Sequence, residues 1–341
     1  MSRSFAIALT ACVSGLALSV SACADSESEA GAEIASAETQ AAGTQAAPAE
    51  AAGETVQDAP AEPDGPSAAE QAIENAPESA WRTVDPENLL KITADEGVIW
   101  VELADSFAPA HTARMRELAR MDWFDYKVWH RVIDGFMAQG GGALDNPAID
   151  APTPPLQAEF TIRRDPAEIE VSELGDRVVN PRSDRSRAQA GFYNGFPAGT
   201  QPGAAAGIMG DGRVSSWLIH CDGAAAMART GDPNSANAQF YIVRGDAEHL
   251  NAQYTVWGKV REGLDVVYAL NEGTMGENFN FRPSFIRDLE VASDLPEDER
   301  VRIEVMDTGS QAFANYLDAL RGEDGALPDI CSIDVPVRVS E

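Results

Sequence analysis

Apolar and polar residues alternate in several short segments of the chain, with the two-residue period of β-strands. The alternation in residues 89–92 and 98–103 flanks Asp95-Glu96-Gly97, a sequence typical of turns, and therefore predicts a β-hairpin. Further strands are predicted at 128–139 (a strand, a turn and a strand), 239–244, 254–260 and 302–306.

Helical periodicity is clear in fewer places. Pro109 stands where a helix would begin, and Met115 and Leu118 lie on one face of that helix. A second helix is predicted over 264–270. Many strands with two clear helices favour a mainly β protein, built as a closed β-barrel with helical caps, over a parallel α/β sheet.

Two segments depart from this pattern. Residues 163–217 are rich in Arg, Asp, Gly and Pro and predict a long insertion, which is either a functional lid or a mobile loop. Residues 311–341 form a predicted helical C-terminal extension, in which Phe313, Tyr316 and Leu317 have helical spacing. That spacing favours packing against the barrel over a site for a partner.

The first 22 residues have the organisation of a bacterial export signal. A basic residue precedes the apolar stretch 5–20, and Val20-Ser21-Ala22-Cys23 resembles a lipobox. The prediction is a lipoprotein signal peptide over 1–22, with Cys23 as the lipidated first residue of the mature chain; a plain secretory signal is the alternative. Both place the mature protein outside the cytoplasm, in the periplasm or secreted. Since Asp25 lies outside the best-known inner-membrane retention position, an outer-membrane anchor is favoured.

Residues 23–82 predict an acidic tether. Between residues 24 and 80 there are 19 Ala and 13 acidic residues, and no Lys, Arg or aromatic residue. Such a segment cannot bury enough apolar surface to offset the entropy lost on ordering, so we expect it to be disordered. The folded domain is expected over 83–310.

The overall charge excludes several classes of protein. With 55 acidic and 25 basic side chains, the formal net charge is −30. This charge excludes nucleic acid as a partner and electrostatic docking on an anionic membrane. The lipid anchor is therefore the only membrane contact that the sequence predicts.

Two of the four cysteines remain for the folded part, because Cys12 lies in the signal and Cys23 carries the lipid. In an oxidising compartment Cys221 and Cys331 could pair. The bond would close a loop of about 110 residues, for which chain entropy gives about 4–5 kcal/mol of stabilisation. From the sequence, a disulfide and two separate buried thiols both stay open.

Motifs for metal or nucleophilic chemistry are missing from the sequence. The four histidines lie far apart, and the chain has neither an HExxH nor a CxxC motif, so no metal or other cofactor is predicted. We expect His130 to be a structural, hydrogen-bonded imidazole, and His111 and His220 to be surface or packing residues.

One segment carries most of the predicted chemistry. A pleated hairpin would bring a cation, an amide and two apolar side chains to one concave spot: Arg131, Gln139, Phe136 and Met137. This segment closely resembles the cyclophilin motif F-H-R-x-I-x-x-F-x-x-Q-G-G, with Trp129 in place of the usual Phe.

Three further segments resemble the same family in the same order. They are 107–112, which opens the first helix; 227–242, similar to M-A-R-x-x-x-P-N-S-x-x-S-Q-F-F-I; and 250–260, similar to L-x-x-x-Y-T-x-F-G-x-V. Because four ordered matches cover most of 89–270, the chain is identified as a member of the cyclophilin family.

The resemblance implies a closed eight-stranded antiparallel β-barrel capped by two helices. It also implies peptidyl-prolyl cis–trans isomerase activity on proline-containing polypeptides, with Arg131 as the catalytic residue and Gln139 holding the substrate backbone. The other implied substrate-binding residues are Phe136, Met137, Ala228, Arg229, Asn237, Gln239, Tyr241, His249, Leu250 and Tyr254. No cofactor is implied, since this rotation makes and breaks no covalent bond.

Plainer interpretations of these residues remain. Arg131 could form a surface ion pair, Phe136 and Met137 could be core residues, and Gln139 could only hold strand ends.

Two departures from the family pattern also bear on the site. Tyr241 replaces a Phe, so its hydroxyl needs a partner or water if it is buried. His249 stands where cyclophilins that bind cyclosporin well have Trp, which predicts weak affinity for that drug. A non-catalytic module that binds proline-containing segments, as a chaperone or scaffold, is therefore the alternative to the isomerase.

Overall fold

A computed structural model of the chain describes residues 66–148, 151–168, 176–177, 188–208, 210–277 and 280–340. In these residues the α-helices are α1 Ala68–Glu74, α2 Pro109–Arg120, α3 Leu264–Ala269 and α4 Gln311–Ala319. None of these helices has the length and hydropathy needed to cross a membrane.

The strands of the described residues are numbered in chain order. The first nine are β1 Trp81–Thr83, β2 Leu89–Ala94, β3 Gly97–Leu103, β4 Lys127–Val128, β5 Arg131–Ile133, β6 Met137–Gly140, β7 Ile162–Arg164, β8 Asp176–Arg177 and β9 Ala188–Tyr193. The others are β10 Phe196–Thr200, β11 Val214–Leu218, β12 Ala224–Met227, β13 Phe240–Val243, β14 Val256–Glu262, β15 Gly273–Thr274, β16 Phe285–Val291, β17 Arg302–Met306 and β18 Val337–Ser340.

The main sheet is antiparallel and curled, with ten strands in the order β15-β5-β6-β13-β12-β14-β3-β2-β16-β4. Its last strand, β4, is joined by a single bridge between Val128 and Gly142 to the residues that follow β6. Eight strands were expected; the two additional ones, β4 and β15, have two residues each. Such short pairings at the sheet edges have no alternating pattern that a sequence could display.

The predicted hairpins and the helix at Pro109 are confirmed. Strands β2 and β3 pair across the turn at Asp95-Glu96, and β5 pairs with β6. Pro109 occupies the first turn of α2, whose N-cap residue gives no side-chain hydrogen bond. The carboxylate of Glu159 instead accepts the backbone N–H groups of Ala110 and His111, both at 3.1 Å, and thereby ties residues 151–160 to this helix.

Large aromatic residues fill the space between the main sheet and its helices. Phe240 lies at the centre, with its ring edge-to-face against Phe124, Trp129 and Trp257 at centroid distances of 5.4–5.8 Å. All four are fully buried. Each such pair adds about 0.5–1.5 kcal/mol to the burial of its surface, so this cluster fixes the back of strand β13.

The predicted insertion differs from the long loop that was expected. Its described residues form a second sheet, in the order β7-β11-β10-β9-β8. Strands β9 and β10 meet at Asn194-Gly195, where both residues have positive φ, 48° and 80°. Asn-Gly is the sequence that favours this type of tight hairpin turn, so the signal was present in the sequence.

The end of the predicted tether also differs from the expectation. Residues 1–65, with the predicted signal peptide and Cys23, lie outside the described residues, but α1 and β1 fall within 66–83. A capping box begins α1: Ser67 and Glu70 each accept the other's backbone N–H. The apolar face of α1, at Ala72 and Ile73, packs with α4, a partner too distant in sequence for local composition to reveal.

The C-terminal extension is helical only in part. After α4 the chain returns to strand β18, which pairs with β17 in a third sheet of the order β1-β17-β18. A disulfide joins Cys331 of this extension to Cys221, which lies just before β12. Of the two possibilities that the sequence left open for these cysteines, the structure has the bonded one.

Candidate active site

Three neighbouring strands place the predicted catalytic and binding residues in one row. Arg131 of β5 pairs with Gln139 of β6, and Gln139 pairs with Tyr241 of β13. Residues that pair directly across antiparallel strands point to the same face of the sheet. Met137 precedes Gln139 by two residues and so shares that face. The register therefore brings together the side chains that the hairpin pattern predicted.

Arg131 lies beside apolar groups. A terminal nitrogen of its guanidinium is 3.8 Å from the sulfur of Met137, and the guanidinium carbon is 5.8 Å from the centre of the Phe136 ring. Burial lowers the pKa of Arg131 from its ordinary value, and the charge of Glu277 opposes this shift. An arginine stays protonated at neutral pH even so. Among the described residues it forms no salt bridge, so the predicted alternative of a surface ion pair is wrong.

An apolar pocket adjoins this cation. Met137 and Tyr241 are buried in one cluster, and partly buried residues complete it: Phe136, Ala228, Leu250 and Tyr254. The ring of the exposed His249 stacks on Phe136 at 5.5 Å between centres. The cluster also includes Phe196 and Leu218 of the second sheet, so the insertion supports the back of the pocket.

The rim of the pocket is formed by stacked rings around Arg229. Its guanidinium lies 4.3 Å from the Tyr254 ring and 5.4 Å from the Phe160 ring. The same guanidinium donates hydrogen bonds to the carbonyls of Gln253 and Thr230. Tyr254 in turn meets Tyr241 edge-to-face at 5.9 Å. Arg229 is thereby held at the edge of the proline pocket.

Two glutamines form the polar side of the site. Gln139 donates to the side-chain oxygen of Gln239 at 3.3 Å, and Gln239 donates to the carbonyl of Pro147 at 2.7 Å. The side-chain oxygen of Gln139 has no hydrogen-bond partner in the described residues and is available to accept an N–H group. Gln239 therefore orients Gln139, which agrees with the expected role of Gln139 in holding a peptide backbone.

Asn237 does not contribute a free side chain to the site, which corrects the prediction from the motif. Its amide is buried, accepts from Arg114 at 2.8 Å and from Thr153 at 2.6 Å, and donates to the carbonyls of Ala151 and Thr153. These contacts use its polar atoms to fix residues 151–153. The partners are far from Asn237 in sequence, so the motif alone could not reveal them.

Two residues that the sequence analysis did not place in the site adjoin it. Phe160 gives Arg229 its second aromatic face, and His220, expected to be a surface or packing residue, contacts the hydroxyl of Tyr241. The sequence did offer a signal for Phe160, because an aromatic residue is unusual in a segment rich in Pro and charged residues. No local signal distinguished His220, because its contact joins the loop between β11 and β12 to strand β13.

The arrangement can position a proline ring beside a fixed hydrogen-bond donor. Residues 89–291 match the family profile described as cyclophilin type peptidyl-prolyl cis-trans isomerase/CLD. The chain is 31% identical over 194 residues to a probable peptidyl-prolyl cis-trans isomerase of Brucella suis, and the match covers 57% of this chain and 76% of that protein. It is 26% identical over 184 residues to a peptidyl-prolyl cis-trans isomerase of Acinetobacter baylyi, with 52% and 69% covered.

A solved structure is also similar. The cyclophilin AquaCyp293 from Hirschia baltica is 36% identical in sequence and superposes with a TM-score of 0.65, covering 76% of this chain and 93% of that one. The fold and the site thus define a cyclophilin-like protein, and the chain belongs to the cyclophilin-type peptidyl-prolyl cis-trans isomerase family. It is an isomerase of X–Pro peptide bonds, and cyclophilins bind proline-containing peptides.

Proposed function

We propose that Arg131 is the group that accelerates X–Pro rotation in this enzyme. The planar amide resists rotation with a barrier of about 18–20 kcal/mol because twisting removes its resonance. In the twisted state the prolyl nitrogen becomes pyramidal and basic, so it can accept a hydrogen bond that the planar amide cannot. Arg131 donates that bond, or one to the adjacent carbonyl, and stabilises the transition state more than the ground state.

The observation that carries the proposal is the setting of Arg131. Its charge lies against the sulfur of Met137 and the ring of Phe136, with no carboxylate paired to it in the described residues. The guanidinium is therefore half-buried, positively charged and free to donate. The pocket residues hold the proline ring, and Gln139 accepts a backbone N–H of the substrate.

The substrates proposed are proteins outside the cytoplasm, and the enzyme is proposed to be anchored by a lipid on Cys23. The lipobox-like sequence supports the anchor, and the Cys221–Cys331 disulfide supports an oxidising compartment. In a bacterial host the full chain is expected in the membrane fraction and a Cys23→Ser variant in the soluble fraction. Equal partition of the two proteins would contradict the anchor.

Isomerisation kinetics on an X–Pro peptide test the catalytic role. We expect Arg131→Ala to lower kcat/KM by about a hundredfold or more, since removal of one preorganised donor typically costs about 2.7–4 kcal/mol. Arg302→Ala is the matched control, because Arg302 is an exposed arginine of the third sheet, and it is expected to keep full activity. A folded wild-type protein that binds the peptide without accelerating rotation would instead support the non-catalytic binding module.

A further inference from the structure

Behind the proline pocket, three side chains form a buried hydrogen-bonded chain. The hydroxyl of Tyr241 lies 3.1 Å from Nε2 of His220, and Nδ1 of His220 lies 3.0 Å from Oδ1 of Asn251. All three residues are buried, and the rings of His220 and Tyr241 are nearly parallel, with 17° between their planes. The chain begins at a pocket residue and ends at the residue directly after Leu250, which also lines the pocket.

The direction of each hydrogen bond follows from one donor whose role is fixed. The backbone N–H of His220 can only donate, and its nitrogen lies 2.8 Å from the same Asn251 oxygen. That atom must therefore be the amide oxygen and not the amide nitrogen. An amide oxygen only accepts, so Nδ1 of His220 carries the proton of the imidazole. Nε2 is then the acceptor, and the hydroxyl of Tyr241 donates to it.

The charge state of His220 agrees with this geometry. Burial lowers the pKa of His220 to about 4, and the hydrogen bond with Asn251 only partly offsets the shift. The imidazole is therefore neutral at neutral pH and carries the single proton that the geometry places on Nδ1.

The hydrogen bond to His220 explains how the pocket tolerates Tyr in place of Phe at position 241. Since the hydroxyl proton is directed to His220, Tyr241 offers a proline ring only its ring carbons, as a Phe would. The polar atom that the replacement introduces is thus used to fix the ring and does not meet the substrate. Without His220 the buried hydroxyl would lack its partner, and the ring would turn or admit water to the pocket.

We propose that His220 and Asn251 are positioning residues of the isomerase, which act through Tyr241 to hold the wall of the proline pocket. The proposal rests on the proposed function, because it requires that this pocket bind the substrate proline. Asn251 selects the tautomer of His220, and His220 holds the Tyr241 ring. Neither residue is expected to touch the substrate.

A double-mutant cycle on the full mature chain tests the proposal, with an X–Pro peptide as the probe. We expect His220→Leu to raise KM about five- to tenfold with kcat within twofold, since a looser pocket binds ground and transition states alike less well. Tyr241→Phe is the reference of the cycle, because it keeps the aromatic ring of the pocket and removes only the hydroxyl that contacts His220. The double variant His220→Leu/Tyr241→Phe should return to the KM of Tyr241→Phe, because it has no hydroxyl left to satisfy.

Further variants separate positioning from general stability. His220→Gln keeps a side-chain oxygen that can accept from the Tyr241 hydroxyl and an amide group that can donate to Asn251, so it is expected to recover most of the KM that His220→Leu loses. Tyr316→Phe is the matched control: it also removes a buried tyrosine hydrogen bond, to the carbonyl of Asp334 at 2.8 Å, but far from the pocket in the α4 cluster. It should lower the melting temperature without changing KM.

An unchanged KM in His220→Leu, or a double variant as weak as His220→Leu alone, would overturn the proposal. If the wild type binds the peptide but does not accelerate rotation, the proposed catalytic function fails. In that case the same cycle, measured as the peptide Kd, still decides on the positioning role. A wild-type protein that binds no proline peptide would overturn both.

Discussion

At the scale of the residue, Arg131 differs from other arginines of the described structure in what surrounds its charge. Arg261 donates to Glu102 at 2.7 Å, and Arg114 donates to Glu117 at 3.0 Å. Arg131 instead faces a thioether and an aromatic ring. A guanidinium without a carboxylate partner keeps its donors for a substrate, which is the property that the proposed mechanism needs.

The Phe160 ring gives a prediction at the same scale. Replacing it in Phe160→Ala removes one of the two rings that hold Arg229, and each such cation–π contact contributes about 0.5–1 kcal/mol at a partly exposed site. We expect KM for an X–Pro peptide to rise about two- to fivefold, with kcat unchanged, as measured by initial rates.

Tyr126→Ala serves as the control for Phe160→Ala. The Tyr126 ring lies 6.0 Å from the guanidinium of Arg287 and is not part of the site, so this variant should keep the wild-type KM. A Phe160→Ala enzyme with the same KM as Tyr126→Ala would show that the stack has no role in binding.

The residues of the site were predictable where the motif and the strand register coincide. Arg131, Gln139 and Tyr241 form one row because they pair across β5, β6 and β13, and their alternation is visible in the sequence. Asn237 and His220 were not predictable, since their roles depend on partners such as Arg114 and Asn251. A hydrogen bond between distant segments leaves no local pattern.

At the scale of the element, the sequence predicted hairpins between neighbouring strands, but it did not predict which distant strands pair to complete a sheet. The β2–β3 hairpin has both alternation and a turn signal, whereas β1 and β18 find their partner β17 only in the folded chain. The second sheet was missed although Asn194-Gly195 marks its central hairpin. A composition rich in Arg, Asp, Gly and Pro is typical of loops, and a turn of two residues is a weak signal within such a segment.

The disulfide between Cys221 and Cys331 leads to a prediction about the stability of the fold. It joins the segment before β12 to the C-terminal extension across a sequence separation of 110 residues. We expect Cys331→Ser to lower the free energy of unfolding by about 4–5 kcal/mol, because the unfolded chain gains loop entropy. Urea unfolding of the oxidised wild type and the variant measures the difference.

Reduction provides the control for this prediction. Dithiothreitol should destabilise the wild type by the same amount and leave Cys331→Ser unchanged. Equal unfolding midpoints of oxidised wild type and variant would mean that the bond does not constrain the unfolded chain.

At the scale of the whole molecule, stability is expected to depend on pH through two buried histidines. Burial lowers the pKa of His130 to about 4 and that of His220 to about 4, from an ordinary value of 6.5. The unfolded chain therefore takes up these protons at a higher pH than the folded protein does. Stability is highest above pH 6.5 and falls as the pH drops toward 4.

Each histidine should cost about 2 kcal/mol of stability between pH 7 and pH 5. Urea unfolding at pH 7, 6 and 5 measures how the free energy of unfolding depends on pH. His220→Leu removes one of the two histidines and should reduce this dependence by about half. A free energy of unfolding that is constant from pH 7 to pH 5 would contradict the burial of both imidazoles. Carboxylates with lowered pKa, such as Glu159, lose their contribution only at lower pH.

The most direct test of the central claim separates binding from turnover in Arg131→Ala. Exchange spectroscopy by NMR on an X–Pro peptide gives the peptide Kd and the isomerisation rate at saturation in the same sample. If Arg131 acts on the twisted amide, the saturated rate falls about a hundredfold while Kd changes less than about threefold. A Kd raised a hundredfold at an unchanged saturated rate would instead make Arg131 a residue that binds the planar substrate, and would contradict the mechanism.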